Sequence, residues 1–160
     1  SRRYQLFEKG TPETNVLHTN DKDEEFISNS WQKYFDGRLT LCHGDSANEI
    51  ESILKKVNEP ICFWLDAHAG ASKYAKGPED CPLIQELDLI ANHSIKNHII
   101  AIDDSNMLGT IQKDEFGNTT CDYSNITMEL VQEKILKINP DYDIGVYKPY
   151  SMDMLIAFVK

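Results

Sequence analysis

The hydrophobic pattern of the chain alternates between short apolar runs, typical of strands, and apolar residues at three- and four-residue spacings, typical of helices. Ile61–Leu65 is a continuous apolar run, which indicates a strand buried on both faces of a parallel sheet. Strands are predicted over Tyr4–Phe7, Asn15–Thr19, Leu39–His43, Ile61–Leu65, His98–Ile102, Tyr142–Tyr147 and Met152–Val159. Helices are predicted over Asp23–Phe35, Ser46–Lys56 and Asn125–Ile138, and from Pro82 onward.

Two stretches are predicted as loops, Gly70–Asp80 and the Gly-, Asn- and Asp-rich Met107–Ser124. The last two strands are close enough in sequence to form an antiparallel hairpin. Strands and helices otherwise alternate, which predicts parallel strands joined by right-handed crossovers. We therefore expect one α/β domain over residues 1–160, with residues 1–14 atypical. Its fold class is a Rossmann-like three-layer α/β/α sandwich, whose mostly parallel sheet ends in a C-terminal antiparallel strand pair.

The charge of the chain argues against several classes of partner. Its 26 acidic and 16 basic residues give a net charge of −10, which repels nucleic acids and anionic membranes. No apolar run approaches the roughly 20 residues that span a bilayer, and the N-terminus does not resemble a signal peptide. The four cysteines form no Cys-x-x-Cys pair, which argues against a zinc ribbon. We expect a cytoplasmic protein with reduced thiols.

Acidic residues follow the predicted strands. Asp21, Asp45, Asp66 and the pair Asp103-Asp104 each come directly or shortly after a strand. Because parallel strands end at one edge of a sheet, these carboxylates are expected to meet there. All-oxygen ligands favour Mg²⁺, Ca²⁺ or Mn²⁺ over Zn²⁺. The alternative is that each aspartate only caps the loop or helix that follows it.

His68 lies two residues after Asp66 and has three open interpretations. It is a candidate general base, a candidate metal ligand, or a histidine that makes structural hydrogen bonds in its loop.

Four segments resemble class I S-adenosylmethionine-dependent methyltransferases: Leu41–Ser46 (LCHGDS), Phe63–His68 (FWLDAH), Cys81–Leu87 (CPLIQEL) and Ile100–Asp104 (IAIDD). The similarity extends over Val16–Val159 and includes a more distant likeness to macrocin-type sugar O-methyltransferases, which use Mg²⁺. The resemblance implies that Asp66, Asp103 and Asp104 bind the metal, and that Asp66 also serves as catalytic base. It further implies that Asp21 binds the cofactor ribose, and that Asp45 and Ser46 lie beside the adenine.

The family's glycine-rich cofactor turn is similar to the segment Phe7–Pro12, which makes Glu8 and Gly10 candidate cofactor-binding residues. The helix that follows this turn in the family has no counterpart, because a parallel crossover needs a dozen or more residues and the next strand begins too soon. Either the chain lacks this helix, or the sequence is a trimmed form of the protein, or Tyr4–Thr14 packs in another way.

The leading hypothesis is an S-adenosylmethionine-dependent methyltransferase that O-methylates a small hydroxylated or sugar-like substrate with the help of Mg²⁺. A second is a non-catalytic binding module that has lost the cofactor turn. A third is a metal-dependent hydrolase that uses the same carboxylates, with His68 as general base. A missing outer helix would expose apolar sheet surface and favour homo-oligomers.

Overall fold

The structure, a computed structural model, describes residues 3–8, 14–19, 40–41, 46–66, 81–148 and 153–160. Its strands are β1 (Arg3–Glu8), β2 (Thr14–Thr19), β3 (Thr40–Leu41), β4 (Cys62–Leu65), β5 (Ile99–Ile102), β6 (Ile111–Lys113), β7 (Thr119–Asp122), β8 (Tyr142–Tyr147) and β9 (Met154–Val159). Its helices are α1 (Ser46–Leu54), α2 (Leu83–Asn92), α3 (Met128–Ile138) and a short 3-10 helix at Ser105–Met107. The helix predicted over residues 23–35 lies outside the described residues.

Seven strands form one mixed sheet in the order β3-β2-β1-β4-β5-β9-β8. The pairs β2–β3 and β4–β5 are parallel, whereas β1 is antiparallel to both β2 and β4. Consequently β2, β3, β4 and β5 all point the same way and end at one edge of the sheet, called here the carboxyl edge. The predicted C-terminal hairpin is confirmed, since β9 is antiparallel to β8 and to β5. The sheet is nevertheless mixed rather than mostly parallel.

The antiparallel direction of β1 explains why so few residues separate the first two strands, which is too few for a parallel crossover. Strands β1 and β2 are antiparallel neighbours only five residues apart in the sequence, and such a connection needs no crossover helix. In the pairing of β1 with β4, Gln5 lies opposite Leu65 and Glu8 lies opposite Cys62. Glu8 is therefore at the edge where β4 begins, and not at the carboxyl edge.

The hydrophobic core lies between the three α-helices and one face of the sheet. Its strand members are alternate residues, such as Phe63 and Leu65, so they project from the same face. Each helix contributes a buried stripe to this single cluster, including Ile50 from α1, Leu87 from α2 and Ile135 from α3. Burying one such side chain contributes about 1.5–3 kcal/mol. These helices supply one layer of the predicted sandwich, and the three-layer arrangement stays a prediction.

The segment predicted as a loop over Met107–Ser124 contains an antiparallel hairpin, β6–β7, so that prediction is wrong. Its turn is organised by Asp114, whose carboxylate accepts hydrogen bonds from the backbone N–H groups of Phe116 at 2.9 Å and Asn118 at 2.8 Å. Gly117 completes the turn with a φ of 82°, which glycine adopts without steric strain. The Gly, Asn and Asp residues that led to the loop prediction form the turn of a hairpin instead.

Apolar side chains are also exposed on the far side of the sheet from this core. Ile99 and Phe158 are 46% and 40% exposed, respectively. Such exposure is compatible with the predicted homo-oligomer, which stays a prediction. Among the described helices, none has the length and apolar character needed to cross a membrane.

The reversed direction of β1 can be tested by nuclear Overhauser effects between backbone protons. We expect contacts between Leu6 and Trp64 and between Glu8 and Cys62, because antiparallel neighbours lie directly opposite one another. Contacts of Glu8 with Leu65 would instead indicate a β1 that runs parallel to β4. The β4–β5 pairing, with Phe63 opposite Ile100, serves as the parallel reference in the same spectra.

Candidate active site

The ends of β4 and β5 bring two acidic segments together at the carboxyl edge. Asp66 follows β4 directly, and Asp103 follows β5 directly. Leu65 lies beside Ile102 in the parallel register, and the backbone N–H of Asp103 donates to the Leu65 carbonyl at 3.0 Å. The two strand ends are thereby tied together, so that Asp66 and Asp103 enter the same space.

Asp104 occupies a backbone conformation that is unusual for a residue with a side chain. Its φ of 49° and ψ of 36° are left-handed, and its N–H donates to the Asp103 carboxylate at 3.0 Å. The next residue is anchored, because the N–H and the hydroxyl of Ser105 both donate to the Asp153 carbonyl, at 2.7 and 2.9 Å. This anchoring to the start of the β9 segment holds the tight turn in place.

Glu86 adds a fourth carboxylate, which sequence analysis missed. It lies in the first turn of α2 and is fully buried. A signal for it was present in the sequence: Glu86 is three residues after Leu83 and four before Ile90, and therefore belongs to the apolar stripe of its own helix. A charged residue in such a stripe is costly to bury and points to a functional or paired role.

These four carboxylates line one cavity that is partly open to solvent, with about 350 Å³ of empty space when the open solvent at its mouth is included. The cavity walls are otherwise apolar, aromatic or sulfur-containing, and consist of Leu65, Cys81, Leu83, Ile102, Met107, Leu108 and Tyr123. Apolar walls with a few convergent polar groups are typical of small-molecule sites. No Lys, Arg or His occurs among these described lining residues, so the described part of the lining is acidic.

Tyr123 connects the β6–β7 hairpin to this cavity. Its backbone N–H donates to the Thr110 carbonyl at 2.9 Å, and its carbonyl accepts from Gly109 at 3.2 Å and from Ile126 at 2.9 Å. With only 2% of its surface exposed, Tyr123 packs with Cys121, Cys81 and Met107 in a small second cluster. Sequence analysis missed this wall because it assigned the whole segment to a loop.

The protonation of Asp66 reflects its surroundings. Burial is the largest cause that raises the pKa of Asp66, followed by the negative charges of Asp103, Asp104 and Glu86; together they raise it to about 7. A carboxylate with such a pKa can accept a proton efficiently near neutral pH.

The structure thus brings together Asp66, Asp103 and Asp104, the residues predicted as metal ligands. Within the described ranges, however, no three His, Cys, Asp or Glu side chains are arranged to hold a metal ion. The predicted Mg²⁺ site is therefore not preformed, although its donor atoms are of the type that Mg²⁺ prefers.

The predicted cofactor residues have different outcomes. Ser46 is fully buried at the start of α1, and its hydroxyl has no hydrogen-bond partner among the described residues. Glu8 lies at the opposite edge of the sheet, away from Asp66. The role of Glu8 in cofactor binding stays a prediction, and the antiparallel β1 corresponds to the alternative in which Tyr4–Thr14 packs in another way. Gly10, Asp21, Asp45 and His68 lie outside the described residues.

Comparison with known proteins identifies the fold. A similar solved structure is that of the SAH-bound methyltransferase PaMTH1 from Podospora anserina, at 13% sequence identity and a TM-score of 0.50. The alignment covers 91% of this chain and 60% of that structure, so the chain spans only part of its length. Neither protein-family models nor curated proteins give a match. The chain has a methyltransferase-like α/β fold.

The left-handed conformation of Asp104 predicts an unusual order of stabilities. We expect Asp104→Gly to be more stable than Asp104→Ala by about 1 kcal/mol, because a Cβ is unfavourable in this conformation and absent from glycine. Urea unfolding of both variants measures the difference.

The same pair of substitutions at Asp103 is the matched control. Among the described non-glycine residues only Asp104 has a positive φ, so at position 103 alanine should be the more stable substitution. Equal stabilities of Asp104→Gly and Asp104→Ala would contradict the left-handed turn.

Proposed function

We propose that the chain is an S-adenosylmethionine-dependent methyltransferase domain, with its acceptor site in the cavity that Asp66, Glu86, Asp103 and Asp104 line. The observation that carries this proposal is the convergence of these carboxylates at the carboxyl edge of a methyltransferase-like fold. In open α/β sheets, ligands bind outside the carboxyl ends of the strands. The SAH-bound state of the similar structure supports S-adenosylmethionine as the cofactor.

In this proposal the cofactor lies along the ends of β2 and β3, next to the acidic cavity. Asp21 would bind the ribose, and Asp45 and Ser46 would lie beside the adenine. Ser46 gives this assignment its support, since a buried hydroxyl without a hydrogen-bond partner in the described residues would gain one from a bound ligand.

Asp66 acts as the general base. S-adenosylmethionine, if bound beside this cavity, would supply the electrophilic methyl group, and the Asp66 carboxylate would accept the proton of the acceptor hydroxyl. The apolar walls would limit the access of water to the reacting atoms and help to orient the acceptor. His68, two residues further along the chain, is the second catalytic residue that we propose.

The acceptor we propose is a small hydroxylated or sugar-like molecule without negative charge, because the acidic lining opposes anions. Mg²⁺ would lower the pKa of an acceptor hydroxyl if Asp66, Asp103 and Asp104 held it. Because these residues do not form a metal site as they stand, we derive no step of the reaction through a metal ion.

A non-catalytic binding module is the second candidate, and the reversal of β1 favours it. The methyltransferase turn that is similar to Phe7–Pro12 would follow a strand that ends at the carboxyl edge. In this chain β1 ends at the other edge, with Glu8 opposite Cys62. The cofactor would then depend on the contacts that follow β2 and β3.

Calorimetry with S-adenosylhomocysteine separates these two functions. We expect saturable binding of one equivalent, with Mg²⁺ and with EDTA alike. Ser46→Ala should weaken this binding roughly tenfold, the equivalent of one lost hydrogen bond, without destabilising the free protein, since it removes a buried hydroxyl that has no described partner.

Ser94→Ala is the matched control, because Ser94 is exposed just beyond the far end of α2. Its affinity for S-adenosylhomocysteine should equal that of the unmodified protein. Absence of binding heat at millimolar ligand, under both conditions, would support the non-catalytic module and end the methyltransferase proposal.

A further inference from the structure

Two histidines form a hydrogen-bonded chain at the edge of the sheet opposite the candidate active site. His98 immediately precedes β5 and is fully buried, and His93 follows the last residue of α2. Their ring centroids lie 5.1 Å apart with planes inclined by 27°, and the ring of His98 is nearly perpendicular to that of Phe63. The chain runs from the backbone of Ile61 through both rings to the backbone of Val57.

The backbone groups at its two ends determine where each proton lies. The Ile61 N–H can only donate, so Nδ1 of His98, 3.2 Å away, must be an unprotonated acceptor. His98 therefore carries its proton on Nε2 and donates to Nδ1 of His93 at 3.0 Å. His93 in turn carries its proton on Nε2 and donates to the Val57 carbonyl at 3.2 Å.

With these assignments, neither imidazole has a nitrogen that can take up another proton without losing a bond. A proton on Nδ1 of His98 would place two donors, the ring N–H and the Ile61 N–H, against each other. A proton on Nδ1 of His93 would do the same with Nε2–H of His98. The chain is therefore intact only when both rings are neutral.

The surrounding charges do not favour an imidazolium. Lys96 lies in the segment between the two rings, and Glu51 and Lys55 of α1 pair with each other at 2.9 Å beside the groove that His93 lines. From β8, the Tyr142 hydroxyl donates to the His98 carbonyl at 2.7 Å. Burial first, and then His93, lower the pKa of His98 to about 4, while a backbone hydrogen bond with Ile95 opposes the shift.

We propose that His93 and His98 form an acid-sensitive latch, which joins the α1–β4 connection, the end of α2 and the start of β5, and which opens when either ring gains a proton. The latch fixes the far end of the helix that carries Glu86 into the candidate active site. Acid therefore loosens α2 from this end before it unfolds the sheet.

Nuclear magnetic resonance of the imidazole nitrogens tests the latch in the unmodified protein. We expect His98 to be the Nε2–H tautomer at pH 7 and to remain neutral at pH 5.5. The Nδ1–H tautomer, or a titration midpoint near the ordinary value of 6.5, would overturn the proposal.

Amide hydrogen exchange tests the opening. Between pH 6 and pH 4, after correction for intrinsic exchange, the protection of the Ile61 amide should fall at least tenfold more than that of Ile100, which lies in the core of β5. In His98→Asn, whose side-chain oxygen can accept from Ile61 without titrating, this difference should disappear. Equal loss of protection at Ile61 and Ile100 in the unmodified protein would also overturn the latch.

Discussion

The parallel pairing of β4 with β5 is the constraint on which the candidate site depends. The two strands are in register, and the hydrogen bond from Asp103 to the Leu65 carbonyl makes them end together. Each strand is followed at once by an aspartate, so their carboxylates are forced into one cavity with Glu86. Apolar packing beneath the sheet holds the arrangement against the repulsion of these charges, because the same strands supply Phe63, Leu65 and Ile100 to the core.

The second constraint is the direction of β1. In the sheet, β1 lies between β2 and β4, as it would if parallel crossovers joined these strands. Because β1 is antiparallel to β4, however, its C-terminal end does not lie at the carboxyl edge. The carboxylate cavity therefore lies at the carboxyl edge, after β4 and β5, whereas β1 ends at the opposite edge. Fold similarity at 13% identity is compatible with both a working enzyme and a binding module.

The sequence predicted the parts of this structure that local patterns determine. Apolar runs located β4 and β5, turn residues located the β8–β9 hairpin, and acids after the strands located Asp66 and Asp103. It did not predict strand direction at the N-terminus, because periodicity is the same for both directions. Asp114 and Gly117 were taken for loop residues although they organise a hairpin. Glu86 was missed because sequence analysis assigned it to a helix without noting that it occupies a position in the apolar stripe of that helix.

The titration of Asp66 tests most directly whether these carboxylates share one site. The carbon-13 resonance of its carboxyl group should show a midpoint near pH 7, against an ordinary value of 3.8, so that its basic form predominates only above neutrality. Because the folded state holds this proton more tightly than the unfolded chain, the carboxyl group stabilises the fold at low pH, and this stabilisation is lost as the pH rises toward 7. Asp103→Asn should lower the midpoint by removing a neighbouring charge, whereas Asp88→Asn, on the same helix as Glu86 but paired with Lys134, should leave it unchanged. An Asp66 midpoint near 3.8 that neither Asp103→Asn nor Asp88→Asn changes would contradict the shared site.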